Sequence, residues 1–136
     1  MSYCKSCKIL RPPRAFHCTD CGVCVEVHDH HCPWVGTCVG HRNVRHFCGF
    51  LFWTATHALI TFLICFWAFK LTKGDLMDED IMGVITKGVG AYSIAIALVL
   101  YGFLIYHICA LGVTNISNNE DIRSRWNGNP KNKKFA

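Results

Sequence analysis

The chain has 136 residues, about the length of one domain, half of them hydrophobic, with a formal charge of +5 and ten cysteines. The apolar residues are not evenly spread: a polar, cysteine-rich stretch is followed by two long uncharged runs and a basic tail, which excludes an ordinary soluble globule. A secreted disulfide scaffold is not expected either, because seven cysteines sit among histidines, five of them at C-x2-C spacing, and the N-terminus MSYCKSCKIL lacks the apolar stretch of a signal peptide.

Residues 1–46 read Cys4-x2-Cys7-x9-His17-Cys18-x2-Cys21-x2-Cys24-x4-Asp29-His30-His31-Cys32-x5-Cys38. Structural zinc takes four sulfur or nitrogen ligands, and a C-x2-C turn brings two sulfurs to one ion. Two such pairs with Cys24, Cys38 and interspersed histidines are a strong metal signal. So short a segment cannot build a core of ordinary size, so metal binding would supply its folding free energy. Two ions need about eight ligands. Seven cysteines and His17, His28, His30 and His31 leave three groups over, and spacing alone does not say which. A RING-type interaction module would want a closing C-x2-C pair, and none follows Cys32. Cys32 belongs to no pair. It stands behind an acid and two imidazoles, which suits either ligation or a nucleophile: a histidine can generate the thiolate, and a carboxylate can orient that histidine. No internal repeat is evident beyond the cysteine pairs.

From Phe47 to Phe69, and again from Val89 to Val113, there is no Asp, Glu, Lys or Arg. At 1.5 Å per residue each run reaches about 35 Å, enough to cross about 30 Å of hydrocarbon with some tilt. Two transmembrane helices are expected over 47–69 and 89–113. His57 and His107 lie inside them, as hydrogen-bonded structural histidines or as functional groups. Cys65 and Cys109 read as small apolar fillers, and Cys48 as a candidate acylation position in its own right. The segment 70–88 carries Asp75, Asp78, Glu79 and Asp80 against Lys70, Lys73 and Lys87. Arg42 and Arg45 precede the first run; Arg123, Arg125, Lys131, Lys133 and Lys134 follow the second. Basic excess marks the cytosolic side, so 1–46 and the 114–136 tail are expected in the cytosol and 70–88 in the lumen or outside. The same basic residues flank spans and form no long stripe, so no nucleic-acid partner is expected.

The order of these motifs, including CPWVGTCVGHRNVRHF with Cys38, Asn43 and Phe47, resembles the DHHC protein S-acyltransferases (palmitoyltransferases), and the likeness continues through both apolar runs. The resemblance implies an α-helical membrane protein whose small irregular two-zinc domain precedes a transmembrane hairpin. It implies that Cys4, Cys7, His17 and Cys24 hold one structural Zn²⁺, and that Cys18, Cys21, His31 and Cys38 hold the other. Cys32 would be the nucleophile, His30 its base and Asp29 the orienting acid. A long-chain acyl-CoA would acylate Cys32, which would pass the acyl group to membrane-proximal cysteines of substrate proteins. The site would face the cytosol at a Golgi, ER or plasma membrane, in a multi-pass protein. Trp34, Phe47 and Phe50 are candidate acyl contacts or interfacial anchors, and Arg42 and Arg45 could meet CoA phosphates or serve orientation.

Two departures stand out. Where the family has Thr-Thr-x-Glu after the last helix, this chain reads Ser117-Asn118-Asn119-Glu120; Ser117 and Asn118 are expected to offer hydrogen bonds to Asp29, with Glu120 kept. The family also has two helices ahead of the cysteine-rich domain, so a fragment of a longer protein is expected, rather than a short form needing a partner. The competing functional readings are a non-catalytic zinc-stabilised interaction module on a membrane hairpin and an inactive truncated paralogue.

Overall fold

The computed structural model describes residues 2–71 and 81–128. Lys73, Asp75, Asp78, Glu79 and Asp80 of the connecting segment, and Lys131, Lys133 and Lys134 of the tail, lie outside the described residues. The chain divides into two compact units, one made of Met1–Phe47 with Ile108–Ala136 and one of Cys48–His107.

The first unit is built on three two-stranded antiparallel hairpins, an order that no alternating apolar pattern announces. Strands β1 (Tyr3–Cys4) and β2 (Ile9–Leu10), β3 (Phe16–Cys18) and β4 (Val23–Val25), and β5 (His30–Cys32) and β6 (Thr37–Val39) pair in sequence. In the second hairpin His17 faces Cys24, and in the third His31 faces Cys38. Each tight turn needs a left-handed residue, and the three fall at Lys8, Gly22 and Gly36, with φ of 55°, 68° and 64°. Isolated hairpins this short are not stable in water. The core between them is small: Val39 and the cysteines 4, 18, 32 and 38 are its buried apolar members, with Phe47. Gly40 makes the tightest join. A Cβ there would lie 2.7 Å from Val25 Cγ1 and 2.9 Å from the Glu26 carbonyl oxygen, so only glycine fits between the second and third hairpins. The Asn43 side chain braces the same corner, accepting from Gly40 N at 2.9 Å and donating to Cys38 O at 2.8 Å.

The second unit holds most of two long helices, α1 (Val44–Leu71) and α2 (Ile81–His107). Both are long and apolar enough to cross a membrane; α2 starts ahead of the uncharged run and takes in Lys87. They meet through small side chains, as helices do where surrounding lipid is as apolar as the interface. Ala55, Ser93 and Ala97 are buried, and a Cβ on Gly90 would stand 3.2 Å from Cys65 Cβ. Thr56 Oγ1 and Tyr101 Oη hydrogen-bond across the pair at 2.9 Å. His107 donates from Nδ1 to the Phe103 carbonyl of its own helix, while His57 is exposed. Large apolar side chains such as Trp53, Ile64, Trp67 and Leu98 cover the outer faces.

After α2 the chain forms one π-helical stretch, Ile108–Val113, and then α3 (Asn118–Gly128). The α3 helix lies in a tail whose polar composition does not suggest one, yet its start signal is in the sequence. Ser117 and Glu120 form a reciprocal cap: Ser117 N donates to Glu120 Oε2 at 2.9 Å and Glu120 N donates to Ser117 Oγ at 3.3 Å.

Candidate active site and metal centres

The C-x2-C turns are shaped by their own sulfurs. Cys7 N donates to Cys4 Sγ at 3.4 Å, and Cys21 N to Cys18 Sγ at 3.5 Å, which points both sulfurs of each pair the same way. The pair from the first hairpin meets the cross-strand pair His17–Cys24 of the second, and the pair from the second meets His31–Cys38 of the third. Each set of four offers ligand atoms all within 4.8 Å of one another. Three sulfurs and one imidazole nitrogen around a tetrahedral zinc would be about 3.5–3.8 Å apart at ordinary zinc–ligand distances. Here Cys7 Sγ and Cys24 Sγ lie 3.3 and 3.8 Å from His17 Nδ1. In the second set Cys18, Cys21 and Cys38 Sγ lie 3.7, 3.3 and 3.7 Å from His31 Nδ1, and Cys21 and Cys38 Sγ are 3.5 Å apart.

The thiol electrostatics point to a cation as well. The Cys21 N–H pulls the Cys18 thiol down to about 7. Burial, then the sulfurs of Cys18 and Cys21, push Cys38 above its ordinary value. In the first set the Cys7 N–H lowers Cys4, while burial and the Cys4 and Cys7 sulfurs push Cys24 up to about 12. A positive ion among the sulfurs would favour the deprotonated form that metal ligation needs. None of the seven cysteines here is in a disulfide. Both sets can hold a metal ion, and their chemistry fits zinc.

These eight positions follow a rule that sequence reading missed. Each residue of the second set lies 14 positions after its counterpart: Cys4 and Cys18, Cys7 and Cys21, His17 and His31, Cys24 and Cys38. The left-handed turn residues 8, 22 and 36 keep the same step. The segment is therefore a threefold hairpin repeat, hidden because few positions besides the ligands and turn residues recur.

Cys32 falls in neither set. On β5 successive side chains alternate faces, so His31 turns toward its metal set while His30 and Cys32 share the opposite face. Cys32 is 4% exposed, a thiol sheltered from bulk water. Asp29, also buried, accepts from His30 Nδ1 at Oδ2, 2.7 Å away. Its Oδ1 accepts from the backbone N–H of Asn118 at 2.6 Å, at the positive end of α3. Ser117 Oγ donates to the His28 carbonyl at 3.1 Å. The Ser117–Glu120 stretch thus meets the acid at the Asn118 N–H, and Ser117 Oγ binds the backbone beside Asp29. A side-chain motif read from sequence hides such a contact, since any non-proline residue has an N–H to give. Glu120 pairs with Arg14, whose guanidinium holds its carboxyl down at about 2.

Of the candidate acyl contacts, Phe47 is buried with its ring edge against His30, centroids 5.2 Å apart. Trp34 is 90% exposed, and Phe50 lies on α1 in the helical unit, partly exposed. A cavity of about 340 Å³ opens beside Asp29, lined by Arg14, Val27, His41, Val44 and Asn115 among others. His28 is buried with both ring nitrogens lacking a hydrogen-bond partner, tilted on Phe16 at 5.3 Å. Val27 before it holds φ at 44°, a strained setting for a β-branched residue.

A family model described as DHHC palmitoyltransferase matches residues 1–125. Palmitoyltransferase ZDHHC18-B of Danio rerio is 36% identical over 97% of this chain and 34% of its own length. Palmitoyltransferase ZDHHC14 of Mus musculus is 39% identical over 93% of the chain and 26% of its own length, and palmitoyltransferase ZDHHC9 of Homo sapiens is 38% identical over 94% and 35%. The chain spans about a third of the length of the curated relatives it matches.

Proposed function

We propose, from the premise that this chain belongs to the DHHC palmitoyltransferase family, that it carries the catalytic and zinc-binding part of a protein-cysteine S-acyltransferase. One observation carries the reading: the only cysteine of the hairpin repeat outside both metal sets shares a strand face with a histidine that a buried, helix-held aspartate orients. Cys4, Cys7, His17 and Cys24 hold one Zn²⁺, and Cys18, Cys21, His31 and Cys38 the other. With all four ligands from protein, zinc acts structurally and supplies folding free energy.

Asp29 Oδ2, accepting from Nδ1–H of His30, fixes the tautomer in which Nε2 is the base. Nε2 takes the proton of Cys32, and the thiolate attacks the thioester carbonyl of a long-chain acyl-CoA. The carbon–sulfur bond to CoA breaks, the CoA sulfur leaves with the proton from His30, and Cys32 carries the acyl group. A substrate cysteine then gives its proton to His30 and takes the acyl group by the same exchange, which releases Cys32. The shelter around Cys32 slows loss of the acyl group to water.

The protein is an integral, multi-pass membrane protein of the Golgi, ER or plasma membrane, with α1 and α2 spanning the bilayer. The basic flanks favour a cytosolic cysteine-rich domain and tail, at 1–46 and 114–136, and a lumenal or external 70–88 segment. The acyl tail then stays with membrane lipid, with Trp34, Phe47 and Phe50 as its candidate contacts, while CoA and the membrane-proximal cysteine of a substrate protein approach from the cytosol.

Incubation with labelled palmitoyl-CoA should give a hydroxylamine-sensitive adduct on the wild-type chain, absent in Cys32→Ser, with zinc content equal in both. The low exposure of Cys32 favours one other reading, a non-catalytic zinc module on a membrane hairpin. Equal zinc with no adduct on either protein would select it.

A further inference from the structure

Arg14 has no place in the reaction just described, yet its guanidinium makes four hydrogen bonds close to it. It stands in the turn before β3 with φ at 64°, a left-handed conformation that a non-glycine residue adopts only at a cost. That backbone aims the guanidinium at the start of α3. Nε and Nη2 donate to Glu120 Oε1 and Oε2 at 2.6 and 2.7 Å, a bidentate pair. Nη2 also donates to the Asn115 carbonyl at 2.7 Å, and Nη1 to Asn115 Oδ1 at 3.3 Å. Asn115 is left-handed too, with φ at 53°. Three points of the chain around the α3 cap are thereby tied to one planar group.

The cap leads to the acid. Glu120 is one half of the reciprocal cap with Ser117, Ser117 Oγ holds the His28 carbonyl, and the next N–H, that of Asn118, holds Asp29. Every bond in this relay lies within the first structural unit. We propose that Arg14 is a positioning residue for the Cys32 reaction, setting through Glu120 and Ser117 the Asn118 N–H that orients Asp29, and through Asp29 the imidazole of His30. The inference rests on the acyltransferase reading for its functional half. Its structural half stands on the relay alone. Arg14 also lines the cavity beside Asp29, so the alternative role is direct contact with the phosphates of CoA, and kinetics separate the two.

The test compares the full wild-type chain with Arg14→Gln, Arg14→Lys and the swapped pair Arg14→Glu/Glu120→Arg. Hydrogen exchange at the Asn118 amide reads the relay whether or not the chain acylates. In Arg14→Gln that amide should exchange about tenfold faster or more with zinc content unchanged. The rate constant for Cys32 acylation by palmitoyl-CoA should fall by up to about 100-fold, the scale of a displaced catalytic group, with KM within twofold. Lysine, a point charge without the fork, should rescue little; the swapped pair should recover protection and most of the rate. Unchanged exchange and rate in Arg14→Gln would overturn the proposal, as would a raised KM with kcat intact, which would assign Arg14 to substrate. A wild-type chain that keeps zinc but never acylates sinks the acyltransferase reading instead, and unchanged Asn118 exchange in Arg14→Gln would still sink the relay.

Discussion

Replacing His28 by phenylalanine should stabilise the cysteine-rich unit. His28 is buried, and neither ring nitrogen has a hydrogen-bond partner. A neutral imidazole there leaves one donor and one acceptor unpaired, at about 1–3 kcal/mol each. Phenyl removes both penalties and keeps the ring contact with Phe16. Its extra ring atom must find room, which costs about 1–3 kcal/mol at worst. Taking the midpoints, about 4 against about 2 kcal/mol, the net gain is about 2 kcal/mol, at about 4–8 °C in melting temperature per kcal/mol for a unit of this size. Acid should widen the gap. Burial lowers the His28 pKa from 6.5, against the pull of Asp29 and with the help of His30 and His31. The unfolded chain therefore binds the proton first, and wild type loses stability as pH falls through about 6.5, at up to about 1.4 kcal/mol per pH unit until the folded histidine protonates. Protonation of the metal ligands weakens both proteins alike and cancels in the difference. The assay is thermal release of metal into a chromogenic chelator, in detergent, from pH 8 to 5.5. A His28→Phe protein no more stable than wild type, or a difference constant with pH, would mean that the ring nitrogens are satisfied by ordered water, and the reasoning would fall.

Gly40→Ala should cost about 1–3 kcal/mol, because its Cβ would meet Val25 and the Glu26 carbonyl at under 3 Å; earlier metal release in the same assay, with helix content unchanged, checks it. Chelation by an excess of a membrane-permeant zinc chelator should unfold the three hairpins and leave α1 and α2 helical. Hydrogen exchange would then rise across residues 3–39, and circular dichroism should keep most of its helical signal; protection persisting in the hairpins without metal would refute a metal-dependent fold.

The metal-binding character of the segment is carried by residue types and spacings that few other chemistries explain. Cysteines and histidines at ligand spacing are legible because sulfur and imidazole are scarce and costly to group without an ion. The two apolar runs are legible because a charge-free stretch of that length has few other uses. What stayed hidden is main-chain work. The strands are two or three residues long and set by ligand geometry rather than by alternating hydrophobicity, so no periodic pattern marks them. The Asn118 contact to Asp29 uses an N–H that every non-proline residue has. Arg14 and Glu120 are far apart in sequence, and only the fold makes them a pair. The α3 helix sits in a tail that reads as polar, although Ser117 and Glu120 have the spacing of a reciprocal cap.

The 14-residue step bears on why one cysteine is left over. Cys32 stands 14 positions after Cys18, which itself follows Cys4 by the same step, and all three end the first strand of a hairpin. In the first two hairpins the residue three further on is Cys7 or Cys21; in the third it is Val35. The hairpin ends in the same kind of turn, with a left-handed glycine at 36 as at 22. The third copy therefore keeps the first cysteine of a metal pair and lacks the second, and the chain beyond β6 becomes helix α1 instead of a fourth hairpin that would supply a histidine and a further cysteine. A sulfur set by ligand geometry, with no metal set to join, is what the proposed chemistry needs. The strand supplies the remainder: His31 on one face completes the second metal set, and His30 on the other meets Asp29. One three-residue strand can then serve zinc and catalysis together, because its side chains alternate and the two tasks never compete for the same face.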